Sequence, residues 1–220
     1  MNFKKSTLAA LAVVALGTVS TQASAYTWSS DTGTSSSFAG VTNINFESAP
    51  SGAVSNYAEG IATFNLGAIF NTSTSSITAQ PAGATGNFWS VGTSGGQAGP
   101  GTVALSTAVK YYGFLWGSSD SYNTVTFSVF DGTKTNDVSL TGLAVPSGTG
   151  NQSVSRYLNF FAGSGETITG VSFASSQNAF ETDNHAYSVT AVPEVETYAM
   201  MLAGLGLMGT IVRRRKAKQA

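Results

Sequence analysis

The stretch Asn123 to Phe130 (NTVTFSVF) alternates without a break, with Val125, Phe127 and Val129 on one side and Thr124, Thr126 and Ser128 on the other. A side-chain period of two is the pattern of a β-strand with one face in a core and one in water. Asp131-Gly132 follows, a pair that supplies the positive φ of a tight turn, and a second run, Asn136 to Thr141, completes a hairpin. Short runs of this kind, each bounded by Gly, Pro, Asn, Asp or Ser, recur along the chain. No stretch between them shows the 3.6-residue periodicity of an amphipathic helix. The chain is therefore read as all-β.

Taken in order, residues 26–40 are a Ser/Thr-rich lead-in and Val41 to Glu47 is the first strand. Ile61 to Asn71 is one long strand or two short ones broken at Gly67. A polar loop, residues 71–86, carries a short candidate strand near Ile77; Asn87 to Val91 is a strand, and residues 92–101 are a glycine loop. Val109 to Trp116 (VKYYGFLW) and Asn123 to Phe130 are the clearest strands, then Asn136 to Thr141, a loop at 146–150, and Val154 to Phe161. Glu166 to Phe173 needs a bulge at Gly170, because Ile168 and Val171 differ in parity. Asn178 to Glu181 and Ala186 to Thr190 close the domain. About ten evenly spaced strands predict an antiparallel sandwich of jelly-roll type.

The two ends do not fit that pattern. Met1 to Ala25 reads as a secretory signal peptide: Lys4 and Lys5 form the charged region, Leu8 to Val19 the apolar one. Ala23-Ser24-Ala25 is a small-x-small site, so signal peptidase would leave a mature chain starting at Tyr26. At the other end Val192-Pro193-Glu194 precedes an uncharged run, residues 197–212, and then Arg213, Arg214, Arg215 and Lys216 in a basic tail, 213–218. As a helix that run would rise roughly 24 Å, a little under the ~30 Å of a bilayer core, a gap that snorkelling arginines and local thinning close. The basic cluster is expected to remain cytoplasmic and hold residues 26–191 outside.

This order of short motif, apolar helix and terminal arginines resembles the PEP-CTERM sorting domain, which exosortases of exopolysaccharide-producing Gram-negative bacteria recognise. The likeness rests on Val192-Pro193-Glu194, Tyr198-Ala199, Met201 to Leu207, Gly209 and Arg213 to Arg215. Val195 stands where the family usually has a second proline, and a sortase LPxTG motif is absent. The segments Tyr112 to Asn123 and Asn178 to Asn184 are also similar to stretches in one group of exosortase-dependent surface proteins. The resemblance implies exosortase and, transiently, the inner membrane as partners. It also implies passage through the periplasm to the cell surface or extracellular matrix, in a biofilm or exopolysaccharide setting.

Residues 26–191 hold Lys110, Lys134 and Arg156 against nine acids, a balance of 3 − 9 = −6. Three scattered cations do not make a nucleic-acid surface, which needs clustered Lys and Arg. Cysteine is absent, which removes disulfides, thiolate metal sites and a cysteine nucleophile. Gly92-Thr93-Ser94-Gly95-Gly96 matches the G-x-S-x-G of hydrolases and His185 follows it, but the motif lies in a glycine loop with no helix after it. Asp120, Asp131, Asp137, Glu166, Glu181 and Asp183 supply acids for a paired-carboxylate site, most of them in turns. Glu181, Asp183 and Asn184 crowd oxygens together as calcium requires, with Glu47 within reach if first and last strands pair. Among Tyr111, Tyr112, Phe114, Trp116 and Tyr122, the loop-proximal Trp116 and Tyr122 are the candidates for stacking on a sugar ring. Three functions stay open: a non-enzymatic surface or matrix protein, a carbohydrate-binding module for the cell's own exopolysaccharide, and a secreted hydrolase.

Overall fold

The computed structural model of the chain describes residues 26–145 and 150–192. The signal-peptide site Ala23 to Ala25, the 146–149 part of one loop, Pro193, Glu194, the apolar run 197–212 and the basic cluster Arg213 to Lys216 lie outside the described residues.

The early strands are β1 (Thr27–Asp31), β2 (Thr42–Ile44), β3 (Gly52–Ala53), β4 (Tyr57–Glu59), β5 (Ala62–Asn65), β6 (Ala68–Phe70) and β7 (Phe88–Val91). The later ones are β8 (Gly101–Val109), β9 (Tyr111–Gly117), β10 (Asn123–Phe130), β11 (Thr135–Thr141), β12 (Ser155–Phe161), β13 (Thr167–Ser175) and β14 (Phe180–Ser188). No α-helix occurs among the described residues; one 3-10 turn covers Gly142–Ala144. One antiparallel sheet runs β1-β12-β9-β14-β7-β6-β3, with β2 joining β14 beside β7. The other runs β11-β10-β13-β8-β5-β4. After β7 the chain changes sheet at every connection except the β10–β11 hairpin. The predicted antiparallel sandwich is the observed one.

The core follows from the alternation. Val125, Phe127 and Val129 of β10 point inward and are buried, and Phe127 stacks on Phe160 of the opposite sheet at 4.0 Å between ring centroids. Each such side chain, fully withdrawn from water, contributes about 1.5–3 kcal/mol. The β13 bulge falls at Thr169, where the register against β10 shifts between Ser128 and Val129, next to the expected position. Leu66 and Gly67 both take positive φ (65° and 73°) and make the break between β5 and β6. A side chain at Gly67 would also collide with Trp89, whose indole N–H donates to the Leu66 carbonyl at 3.0 Å.

Three departures have physical causes. β1 lies inside the expected lead-in: its Ser-rich sequence is that of an exposed edge strand, paired only to β12. The expected Val109 to Trp116 strand is β9, and the strand before it, β8, was not among those expected. Its alternate exposed positions are Thr, Ala and Ser, which blunt the hydrophobic signal. The two closing segments are one strand, β14, carrying a bulge between Asp183 and Ala186, with Asn184 at φ 46°. That extra residue resets the parity, so Phe180, His185 and Tyr187 face the core while Ala186 faces the other way.

Around β9 the first sheet is covered on both faces. Phe38 and Val41 pack over Tyr111, Phe161, Ala186 and Val192 on the outer side, and Pro81 lies against Gly117. Every residue of β9 is consequently buried.

Candidate functional site

Glu181 is the second residue of β14, opposite Gly117 at the end of β9 and Ser90 near the end of β7. At this end of the sandwich three loops meet: residues 71–87, residues 92–100 and the turn before β14. Asn178 stitches them together. Its Oδ1 accepts from the Thr93 amide (2.8 Å), the Thr93 hydroxyl (3.0 Å) and the Ser94 amide (3.2 Å). Its Nδ2 donates to the Ser76 carbonyl at 3.0 Å and to Ser94 Oγ. Gln97 makes a second tie, its Nε2 donating to the carbonyls of Ile77 (3.1 Å) and Ser94 (3.0 Å), its Oε1 accepting from Ser90 Oγ. Gly92 is required here, since a Cβ would stand 2.8 Å from Asn178 Oδ1.

Between these loops lies a pocket of about 230 Å³, lined by residues 73–79, Gln152, Asn178, Ala179 and Glu181. Glu181 is 3 % exposed, and its Oε1 accepts from the Ala79 amide at 2.8 Å while its Oε2 accepts from Ser118 Oγ at 3.2 Å. The Thr78 hydroxyl donates to Ser90 Oγ at 2.8 Å and lies 3.5 Å from Glu181 Oε1. Burial pushes the Glu181 carboxyl up to about 7; the Ala79 and Ser118 hydrogen bonds pull the other way and the Asp120 charge adds to the rise. Asp120 itself is raised by burial. Tyr122 stands beside the site with its hydroxyl donating to the Asn178 carbonyl at 3.2 Å; burial, then Asp120, pushes its phenol to about 12. No lysine or arginine is among the lining residues. Such a pocket offers hydrogen-bond acceptors and hydroxyls in a preformed frame, with no fixed positive charge.

The expected sugar-stacking platform is not at Trp116. Its side chain is fully buried and stacks on Phe180 at 4.5 Å, so no ligand ring can reach it. Tyr111, Tyr112 and Phe114 are equally buried, and Tyr122 alone of that set is partly exposed. The signal was in the sequence: after Lys110, YYGFLW is a continuous apolar run, as in a strand covered on both faces, and not an alternating one.

The expected calcium set is not assembled either. β2 does pair with β14, yet Glu47 Oε1 accepts from the Asn87 amide at 3.1 Å. Glu181 is turned into the pocket, and Asp183 Oδ1 accepts from the Asn184 amide at 2.6 Å. Asn184 Nδ2 donates to the Thr34 carbonyl at 2.9 Å. Among the described residues no three acid or histidine side chains gather where a metal ion could be held. Glu47 and Glu59 reach Asp183 only through their charge. With burial as the larger cause, they hold that carboxyl up at about 7.

His185 is fully buried in an aromatic cage of Phe46, Phe64, Trp89, Tyr112, Phe114 and Phe173, with centroids 5.3 to 6.1 Å away. Its Nδ1 meets the Tyr112 hydroxyl at 2.7 Å and its Nε2 the Thr182 hydroxyl at 2.9 Å, which leaves no nitrogen for Ser94. Burial lowers its pKa to about 3. Of the remaining acids, Asp131 caps the β10–β11 turn through the Thr133 and Lys134 amides, Asp137 accepts from Ser128, and Glu166 accepts from the Gly163 amide.

These features define an antiparallel β-sandwich with one preorganised polar pocket among its end loops. No protein-family model and no curated protein matches the chain. Among solved structures it is similar to an exo-β-1,3-galactanase from Phanerochaete chrysosporium crystallised with β-1,3-galactotriose. Identity is 21 %, coverage is 66 % of this chain and 28 % of that one, and the TM-score is 0.26. The chain spans little more than a quarter of that enzyme's length, and a likeness this slight carries no weight for fold or function.

Proposed function

We propose that the chain is an exported, exosortase-sorted surface or extracellular-matrix protein associated with exopolysaccharide, its sandwich being the delivered part. The reading rests on the terminal segments described above. Val192, the first residue of the sorting motif, belongs to the packed domain. It is 9 % exposed and packs with Tyr111, Phe161 and Ala186 beneath Phe38 and Val41. A chain truncated after Val192 tests the reading in cells that carry an exosortase. It is expected to stay in the periplasm while the full-length chain reaches the surface; equal surface yields would contradict sorting.

A carbohydrate-binding role is the second reading. The polar, cation-free pocket around Glu181 favours it.

A further inference from the structure

We propose that the pocket between residues 73–79, Asn178 and Glu181 is a binding site for one neutral, hydroxyl-rich ring, a single pyranose residue. The proposal deepens the carbohydrate-binding reading and does not depend on how the protein is sorted. Size is the first argument. At about 230 Å³ the pocket is below the ~300–1,000 Å³ that drug-sized ligands occupy, which leaves room for one ring and not for several.

Chemistry narrows the ligand further. Ser73, Thr74, Ser75, Ser76, Gln152 and Asn178 bring polar groups to the wall, and Ile77, Ala79 and Ala179 add small apolar faces. That mixture matches a sugar, whose hydroxyls ring its edge and whose C–H groups cover its faces. At the floor Glu181 presents a carboxyl 3 % exposed to solvent. That carboxyl can pair with a sugar hydroxyl in either state, donating when protonated and accepting when ionised. An anionic ligand is disfavoured, because Asp120 and Glu181 already interact through their charges and no cation lines the wall. Phosphate, sulfate and uronate groups would enter against that field.

Preorganisation is the third argument. The 73–79 wall is held by Asn178 at Ser76 and by Gln97 at Ile77, so binding does not have to order a loop.

Titration of the full-length chain, in a detergent without a sugar head group, tests this by calorimetry and saturation-transfer NMR. The probes are glucose, galactose, mannose, N-acetylglucosamine, short oligosaccharides of each, and glucuronic acid. At least one neutral probe is expected to bind with a Kd on the order of 1 mM, as suits a single ring. Ser75→Trp, an exposed position on the rim, is expected to weaken it at least tenfold with the thermal midpoint unchanged. If that variant misfolds, Gln152→Ala, also exposed, is expected to weaken it several-fold. Binding of oligosaccharides but not of free sugars assigns the site to a chain end, and equal binding assigns it to the free ring. No binding by any neutral probe up to about 50 mM, tighter binding of glucuronic acid than of glucose, or full affinity in both variants would overturn the proposal. Surface delivery can be normal in every one of these cases, so failure here is separable from failure of the sorting reading.

Discussion

Trp116 and Phe180 lie face to face inside the sandwich, their rings 4.5 Å apart and 20° from parallel, both closed to solvent. They join β9 to β14 on the inner face of the first sheet. Trp116→Ala empties that volume and is expected to cost about 3–5 kcal/mol in urea unfolding. Trp116→Phe is expected to cost clearly less, since the Trp116 indole N–H is buried without a hydrogen-bond partner and its loss strands no other group. Equal costs for the two variants would show that stacking volume is not what Trp116 supplies.

Asn178 ties two loops to the start of β14 through one amide. Asn178→Ala leaves the Thr93 and Ser94 N–H groups without their acceptor. Part of the cost is recovered by water at this half-exposed site, so about 1–2 kcal/mol is expected. The local signature is sharper than the global one: hydrogen exchange at Thr93 and Ser94 should accelerate while exchange in β10 stays unchanged. Protection that survived at both amides would contradict the stitching role.

Three buried groups give stability two opposed dependences on pH. His185 ordinarily titrates near 6.5 and is held to about 3 by burial, so below 6.5 the unfolded chain takes up a proton that the native state refuses. Stability falls as pH drops from 6.5 toward 3. Glu181 and Asp183 are raised to about 7 from 4.5 and 3.8, so the native state keeps protons that the unfolded chain has released. Their contribution is full below the ordinary carboxylate values and is lost as pH rises through 7. Glu181→Gln should remove one of those two losses, on the order of 2 kcal/mol between pH 4.5 and 8. Urea midpoints at the two pH values check this; an unchanged difference in the variant would mean Glu181 is already ionised in the native state.

Calcium is expected to leave the thermal midpoint unchanged, because Glu47, Glu181 and Asp183 each bond to a different part of the protein and do not converge. A midpoint raised by calcium and lowered by a chelator would require these carboxylates to regroup on binding.

The strands were legible where one face meets water. Asn123 to Phe130 was read to the residue because Thr and Ser alternate with Val and Phe, and the Gly170 parity break announced the bulge. Legibility failed where that contrast vanishes. β9 is covered on both faces, so its aromatics looked like candidates for a surface when all are core. β14 hides Glu181 and Asp183 under loops, and a strand carrying buried acids resembles a turn when read locally. The pocket itself was invisible for a related reason. Its frame depends on hydrogen bonds from Asn178 to residues 84 and 85 positions earlier, a separation that no local pattern encodes. Glu181 was picked out for its oxygens, as a metal ligand and as one of a carboxylate pair, and not as the wall of a polar pocket.

The central claim is that export and processing deliver the sandwich to the cell exterior, and the intact mass of the protein recovered from the cell surface tests it directly. The expected species begins at Tyr26 and lacks the arginine cluster 213–215, and it disappears from the surface of cells without an exosortase. A surface species still ending at Ala220, or one found equally in cells that lack the exosortase, would contradict the account.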